Sequence, residues 1–335
     1  MQRALKILSL LLLTLGATSV RAEAPKTVRV GYLDLVNAQL VTKHLKLLSK
    51  EMPGVNVKYI QMNNPGDMLR ALAAGQLDFG SLGNPPAAIA ITRGLPIKGI
   101  LNTDMLGRIE ALVVRKSDKI TSLAELKGKR IGTVFGSTSH YELLNAFKLQ
   151  GIDPATMKLM DLAPPDIVNA WMRGDIDAAY FWEPGLSKTL AHGGKILIDS
   201  GEMAKRGFPT WDVDVVTNDF ASKYPRLVTA FVKAGCAGID YWNANPKKAA
   251  GMVADELSLP KKQVEHMMAG ESMTACKAQL TARYLGTPAK KGEFVKTLVS
   301  TAKFLVSQDR LPKLLPEQTF ADFIEPVYLQ QVVKP

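Results

Sequence analysis

Residues 129–151 read KRIGTVFGSTSHYELLNAFKLQG, and this stretch decides the fold of the chain. Its first part, 130–135, alternates in polarity and ends in β-forming residues, which predicts a strand. Its second part repeats apolar residues at helical spacing, at Leu143, Leu144, Phe147 and Leu149. Gly151 then suits the left-handed position that ends many helices. The stretch therefore predicts a strand, a tight loop and a helix.

The loop between this strand and helix is rich in small hydroxyl residues. The first backbone N–H groups of a helix have no partner within it, and the helix dipole is positive at that end, so an anion can bind there. The sequence thus predicts an anion site at Ser137, Thr138, Ser139 and His140. Ser139 and Glu142 also fit a capping box, in which the two side chains satisfy the same donors and no ligand binds.

The first 22 residues have the pattern of a secretory signal peptide. Arg3 and Lys6 precede an apolar run at 7–15, small residues follow, and the predicted cleavage lies after Ala22. No later apolar run approaches the roughly 18 residues that a membrane span needs. We therefore expect a soluble, exported mature protein.

The charge of the chain is basic but dispersed. The formal net charge is +11, and loss of Arg3, Lys6 and Arg21 with the signal peptide leaves about +8. The basic residues form no stripe with interleaved aromatic residues, which argues against nucleic-acid binding.

Cysteine and histidine usage gives no metal or cofactor signal. Cys236 and Cys276 have no metal-ligand spacing, and in an oxidising compartment they could either pair or remain free. The four histidines lie far apart in the sequence. We therefore expect neither a metal site nor a cofactor.

An internal repeat organises the first two thirds of the chain. The predicted order of strand, helix, strand, helix at 28–34, 38–50, 55–62 and 67–74 returns at 130–135, 139–150, 157–162 and 165–173. Matching residues lie 99 to 101 positions apart and are Gly31 and Gly132, Gly75 and Gly174, Asp78 and Asp177, and Pro85 and Pro184. We interpret Asp78 and Asp177 as structural turn residues.

This repeat predicts an α/β fold with two doubly wound lobes of parallel strands covered by helices. Two further strands, at 109–115 and 212–217, are expected to cross between the lobes. The predicted first lobe comprises 27–111 and 216–335, and the second comprises 112–215. The C-terminal segment after Asp219 is almost entirely helical, with one apolar face that should pack onto the first lobe.

Two such lobes predict a ligand cleft between them, because open sheets of this kind bind ligands outside the carboxyl ends of their strands. The junction at Asn84 is expected to supplement the anion site. Glu110 and Asp212 stand at the two crossings, where their carboxylates would attract a cation. A small zwitterion would fit both ends of this cleft.

Four segments of the chain resemble the periplasmic substrate-binding proteins for aliphatic sulfonates and nitrate. Within that family, the resemblance is to the members that bind taurine. The segments are 110–114, 137–141, 164–177 and 209–213. The resemblance implies a type II periplasmic binding fold and a monomer that delivers its ligand to an inner-membrane ABC permease with its ATPase. It also implies a sulfonate on Thr138, Ser139 and His140, an amine at Glu110 and Asp212, and an aromatic wall at Trp182.

The chain departs from the taurine-binding pattern at three positions. Gly83-Asn84-Pro85 stands where the taurine binders have Gly-Ser-Ser, and the proline removes a backbone donor. Asp34 brings an additional acid towards the cleft, and Glu183 replaces a small residue beside Trp182, at a helix start that favours an acid. The ligand therefore stays open between taurine, another sulfonate and a larger amine such as a betaine.

A hydrolase and a sensory binding protein are the two alternatives to this function. A hydrolase triad of Ser137, His140 and Asp166 or Asp212 would lack the Gly-x-Ser-x-Gly nucleophile elbow, so we expect no enzyme. A binding protein that presents its ligand to a membrane sensor would have the same residues as an import protein.

Overall fold

The computed structural model describes residues 24–333 except 270 and 272. The predicted signal peptide at 1–22 and its cleavage site lie outside the described residues. Within these residues, no helix has both the length and the apolar character that a membrane crossing requires.

Ten strands form two five-stranded sheets. The strands are β1 (Thr27–Tyr32), β2 (Asn56–Gln61), β3 (Phe79–Gly83), β4 (Ile97–Met105), β5 (Glu110–Arg115), β6 (Arg130–Thr133), β7 (Lys158–Asp161), β8 (Ala178–Trp182), β9 (Gly194–Asp199) and β10 (Trp211–Thr217).

Helices cover both sheets. The α-helices are α1 (Ala38–His44), α2 (Leu47–Glu51), α3 (Pro65–Ala73), α4 (Asn84–Thr92), α5 (Thr138–Leu149), α6 (Pro164–Arg173), α7 (Gly185–Ala191), α8 (Ser200–Lys205), α9 (Asn218–Lys223), α10 (Pro225–Ala244), α11 (Pro246–Leu257), α12 (Lys261–Met268), α13 (Cys276–Gln279), α14 (Glu293–Ser307), α15 (Glu317–Phe323) and α16 (Val327–Val332). Short 3₁₀ helices occur at Lys116–Asp118, Leu123–Leu126 and Pro154–Thr156. The single helix predicted at 38–50 is divided into α1 and α2 at Lys46, whose φ is 54°.

The two sheets repeat one topology. The first sheet has the order β2-β1-β3-β10-β4, and the second has the order β7-β6-β8-β5-β9. In each sheet the fourth strand, β10 or β5, runs antiparallel to both of its neighbours. The predicted fold class is confirmed, but the sheets are mixed where parallel sheets were predicted.

The chain crosses between the sheets just before the two strands that were predicted as crossings. It leaves the first sheet after β4 and enters the second at β5, and it returns through 206–210 to β10. The Leu106 N–H donates to the Thr210 carbonyl at 3.1 Å, so the two crossing segments lie side by side. The predicted lobe boundaries at 111/112 and 215/216 fall inside β5 and β10, a few residues beyond the points where the chain changes sheet.

The C-terminal helices pack on the first sheet. Val228, Phe231 and Ile239 of α10 are buried in one core with Val30, Phe79 and other residues of that sheet. Phe79 and Phe231 stack with ring centroids 4.1 Å apart. This packing agrees with the apolar face predicted for α10.

The repeated aspartates each hold an arginine at the start of a strand. Arg29 donates through its backbone N–H at 2.7 Å and its guanidinium at 2.6 Å to Asp78, and a further guanidinium N–H bonds to the Gly75 carbonyl. Arg130 makes the equivalent contacts with Asp177 and the Gly174 carbonyl. Both pairs therefore fasten a strand to the turn that precedes a neighbouring strand, which is a structural role.

Cys236 of α10 and Cys276 of α13 form a disulfide, with their Cα atoms 5.8 Å apart. The sequence left the pair undecided because the distance between the cysteines depends on how the C-terminal helices fold back. A disulfide is typical of proteins in an oxidising compartment.

Candidate ligand-binding cleft

Helix α5 begins at the loop that the sequence singled out, but with a different cap. Ser137 is the N-cap, and its Oγ accepts from the His140 N–H at 3.3 Å while its own hydroxyl donates to the Val134 carbonyl at 2.6 Å. Ser139 lies two residues after the N-cap, inside the first turn, so the predicted capping box with Glu142 is wrong. The predicted end of the helix is confirmed, since Gly151 follows it with φ at 65°.

The hydroxyl groups of the predicted anion site bind a carboxylate of the protein itself. Thr138 Oγ1 lies 2.9 Å from both carboxylate oxygens of Glu110, and Ser139 Oγ donates to Glu110 Oε1. Within the described residues, the backbone N–H groups of Thr138 and Ser139 make no hydrogen bond. The helix start therefore faces Glu110, which it holds in place at the boundary of the two lobes.

Three carboxylates line a small cavity between the two sheets, which we call the inner cavity. They belong to Asp104, Glu110 and Asp212. Asp212 and Asp104 are ladder partners in β10 and β4, whereas Glu110 comes from the second sheet. The cavity measures about 30 Å³, and its other walls include Leu33, Leu35, Leu106, Ile109, Thr138 and Trp182.

Asp104 is the member of this group that sequence reasoning missed. Its side chain is 1% exposed, and its hydrogen bonds from Asn37 Nδ2 at 3.4 Å and Thr103 Oγ1 at 3.3 Å are long. The Asn102 amide ties the strands together by donating to the backbone carbonyls of Asp104 and Asp212. Asp104 could be recognised as a site residue only from its pairing with Asp212 on the neighbouring strand. That pairing cannot be derived from one sequence.

The inner cavity concentrates negative charge without a protein cation. In the described part of the chain, none of its lining residues is lysine, arginine or histidine. Burial raises the pKa of Asp104 to about 6. Burial, together with the neighbouring carboxylates, raises the pKa of Glu110 and of Asp212 well above the ordinary range. The site can therefore stabilise a cationic group strongly, because such a group restores the charge balance of buried carboxylates.

Glu142 supports the site from inside the second lobe. Its carboxylate accepts hydrogen bonds from the hydroxyls of Tyr180 at 2.6 Å, Ser200 at 2.5 Å and Thr210 at 2.5 Å. Burial raises its pKa to about 7 despite these donors. Because Thr210 belongs to the returning crossing segment, Glu142 fixes that segment against α5.

His140 and Asn84 lie away from the inner cavity. The His140 ring stacks on Phe135 at 4.4 Å, its Nδ1 lies 3.2 Å from the Gly136 N–H, and burial lowers its pKa to about 4, so it is neutral near pH 7. The Asn84 side chain is fully buried, donates to Thr301 Oγ1 at 2.9 Å and accepts from the Trp211 N–H at 3.3 Å. It therefore fastens α4 to α14 and β10, whereas the sequence had suggested an anion contact.

A second cavity of about 270 Å³, the outer cavity, adjoins the inner one. Leu33 and Trp182 line both cavities. Asp34 lies in the wall of the outer cavity and accepts from Gln61 Nε2. Glu183 instead accepts from the Ser187 N–H at 2.8 Å at the start of α7, in agreement with a favourable position at a helix N-terminus.

No group of three or more histidine, cysteine, aspartate or glutamate side chains is arranged to hold a metal ion among the residues that the structure describes. Ionised carboxylates accept hydrogen bonds, so the three carboxylates of the inner cavity can receive N–H donors from a ligand.

Comparison with known proteins places the chain in a family. Residues 51–249 match the family model described as NMT1/THI5 like. The chain is 35% identical over 309 residues to the taurine-binding periplasmic protein of Escherichia coli, a match that covers 90% of this chain and 92% of that protein. The chain belongs to the NMT1/THI5-like family. A second sequence relative is the putative aliphatic sulfonates-binding protein of Bacillus subtilis, which is 28% identical over 249 residues, covering 72% of this chain and 73% of that protein.

Solved structures share the fold. The alkanesulfonate-binding protein SsuA from Xanthomonas axonopodis pv. citri, bound to MOPS, superposes with a TM-score of 0.77 at 22% identity, covering 89% of this chain and 99% of that one. The desulfurization enzyme DSZB superposes with a TM-score of 0.66 at 17% identity, covering 92% and 99%. The fold therefore occurs in binding proteins and in an enzyme, whereas the sequence relatives named above are binding proteins.

Proposed function

We propose that this protein is the periplasmic substrate-binding component of an ABC importer and that it captures taurine or a similar small amino-sulfonate. The observation that carries the proposal is the inner cavity, where Asp104, Glu110 and Asp212 converge from both sheets and where none of the described lining residues is lysine, arginine or histidine. The similarity to a taurine-binding periplasmic protein over 90% of the chain supports the same ligand class.

Ligand capture would couple the two lobes. Asp104 and Asp212 belong to the first sheet and Glu110 to the second, so an ammonium group between them contacts both. Such a ligand favours the closed arrangement because its contacts are complete only there. The closed form would then be recognised by an inner-membrane permease and its ATPase, with the protein acting as a monomer in the periplasm.

The same contacts argue against catalysis. The Ser137 hydroxyl donates to the Val134 carbonyl and the Ser139 hydroxyl to Glu110, so neither serine is paired with a histidine base. The His140 ring packs on Phe135. A nucleophile within hydrogen-bond reach of its base is what serine hydrolysis requires.

The proposal predicts selective binding of amino-sulfonates by the mature protein after its bound ligand has been removed. Calorimetric titration should detect taurine, with ethanesulfonate and sulfate weaker by two orders of magnitude or more. A ligand without a cation leaves the buried carboxylates uncompensated, which costs roughly 3 to 5 kcal/mol. Asp212→Asn should weaken taurine binding at least tenfold.

Two results would contradict this function. Equal affinity for taurine and ethanesulfonate would show that the carboxylates do not select for a ligand with a cationic group. Binding of glycine betaine without taurine would keep the fold and the cation site but replace the ligand class. Arg70→Gln, an exposed change on α3, is the control that should leave taurine binding unaltered.

A further inference from the structure

The two cavities differ in size and in charge. The inner cavity measures about 30 Å³, and charged side chains in its wall are all acidic. A volume of this size holds one or two water-sized groups. An ammonium group fits there, but an entire amino-sulfonate does not, so the remainder of the ligand must extend elsewhere.

The outer cavity is the space into which such a ligand can extend. It is about nine times larger by volume, at about 270 Å³, and it meets the inner cavity at Leu33 and Trp182. Trp182 is the ladder partner of Glu110, so its indole stands directly beside the carboxylate that would hold the ammonium group. Methylene groups of a ligand can therefore pass along the apolar surfaces of Leu33 and Trp182.

The polar lining of the outer cavity suits an anion with hydrogen-bond acceptors. Lys188 at α7 is the one cation in its wall within the described residues, and it makes no ion pair there. Amide side chains of Gln61, Asn63 and Asn169 provide N–H donors around it. Among the described residues, Asp34 is the one acidic residue that lines this cavity. Gln61 Nε2 donates a hydrogen bond to its carboxylate.

The start of α5 is already occupied by protein charge. The hydroxyls of Thr138 and Ser139 donate to Glu110, so a sulfonate at this position would lie against that carboxylate. Each hydroxyl has a single O–H donor, so a sulfonate there would have to displace Glu110 from both hydroxyls. The outer cavity requires no such displacement and offers Lys188 as a cation.

We propose that the outer cavity is a second subsite, which binds the anionic end of the ligand through Lys188, and that the chain accepts amino-sulfonates longer than taurine. This inference rests on the proposed function, since it places the amine of the same ligand class in the inner cavity. The ligand class is then a primary amine joined through a short aliphatic chain to a sulfonate.

Titration of a homologous series tests the proposal. The probes are taurine, 3-aminopropanesulfonate and 4-aminobutanesulfonate, with 3-amino-1-propanol as the amine that lacks an anionic end. We expect 3-aminopropanesulfonate to bind the original protein at least as tightly as taurine. Lys188→Gln should weaken sulfonate binding fivefold or more and change binding of the amino alcohol less than twofold.

Two further variants sharpen the result. Lys205→Gln, an exposed lysine of α8 that lines neither cavity, is the matched control and should change no affinity more than twofold. Asp34→Asn removes the opposing charge and should strengthen sulfonate binding. Opposite effects of Lys188→Gln and Asp34→Asn, with no effect of Lys205→Gln, are expected if the anion lies near the first two residues.

The outcomes distinguish a failure of the subsite proposal from a failure of the proposed function. Taurine binding with a tenfold loss for 3-aminopropanesulfonate, or equal behaviour of Lys188→Gln and Lys205→Gln, would overturn the subsite and leave the proposed function standing. Absence of binding for every amino-sulfonate would overturn both.

Discussion

Asp104 is the residue at which ligand affinity and folding stability should respond in opposite directions. Asp104→Asn removes one of three carboxylates that burial brings together, so the ligand-free protein should become more stable at pH 8. The same change removes a charged acceptor worth roughly 1.5 to 3 kcal/mol, which corresponds to about a 10- to 100-fold loss of taurine affinity. Denaturant unfolding and calorimetric titration measure the two effects.

The matched control for this residue is Asp214→Asn. Asp214 lies on the same strand as Asp212, is 3% exposed, and has its pKa raised by burial, but it does not line the inner cavity. This variant should also gain stability at pH 8, with a much smaller change in affinity. Loss of stability in Asp104→Asn would show that its carboxylate is favourably placed without a ligand.

At the scale of elements, the disulfide should stabilise the C-terminal helices without contributing to ligand binding. It links α10 to α13 across 40 positions, and neither cysteine lines the inner or the outer cavity. The double variant Cys236→Ser, Cys276→Ser should lose about 2 to 4 kcal/mol of unfolding free energy. Denaturant unfolding measures this loss. A variant with unchanged stability but weakened taurine binding would contradict the assignment.

The elements that the sequence predicted well are the ones built from neighbouring residues. The strand, loop and helix at 130–150 and its counterpart near the N-terminus follow from hydrophobic period and from Gly, Pro and Ser at their ends. The positions of β5 and β10 within their sheets depend instead on hydrogen-bonded pairing with strands that are distant in the sequence. A periodic pattern does not show whether a strand runs parallel or antiparallel in the sheet it joins.

The residues of the candidate site also divide into those that local sequence predicts and those that tertiary packing brings together. Glu110 and Asp212 were predicted because they stand near the start of the crossing strands, and Trp182 because it ends a strand; all three line the inner cavity. Asp104 and the contact of Thr138 with Glu110 result from tertiary packing. The contacts of the Asn84 amide could not be predicted, because its partners, Thr301 and the Trp211 backbone, are 217 and 127 positions away in the sequence.

At the scale of the whole molecule, charge and closure are expected to be coupled. The first sheet contributes Asp104 and Asp212 to the inner cavity, and the second contributes Glu110. Without a cation, ionised carboxylates from the two lobes repel one another and oppose closure. An ammonium group reverses this effect, so ligand binding and approach of the lobes favour each other.

This coupling predicts that ligand stabilises the protein more as pH rises. The pKa of Asp104 is raised to about 6 in the fold, from the ordinary 3.8, so its contribution to stability without ligand is complete below pH 4 and is lost as pH rises through 6. Glu110 and Asp212 shift in the same direction and extend the loss to higher pH. An ammonium group compensates the ionised carboxylates, so the protein with ligand avoids this loss.

Thermal unfolding at pH 5, 6 and 7.5, at one ionic strength and with or without saturating taurine, measures the effect. The increase in Tm caused by taurine should grow from pH 5 to pH 7.5, and Asp104→Asn should flatten that growth. Glu142 and Asp214 also have raised pKa values; neither lines the inner cavity, but Glu142 raises the pKa of Glu110 and Asp104 raises that of Asp214, so both add to the loss of stability of the ligand-free protein as pH rises. A taurine-induced shift that is constant across this range would mean that the protonation of these carboxylates does not change when the ligand binds, and it would contradict the predicted link between their titration and ligand binding.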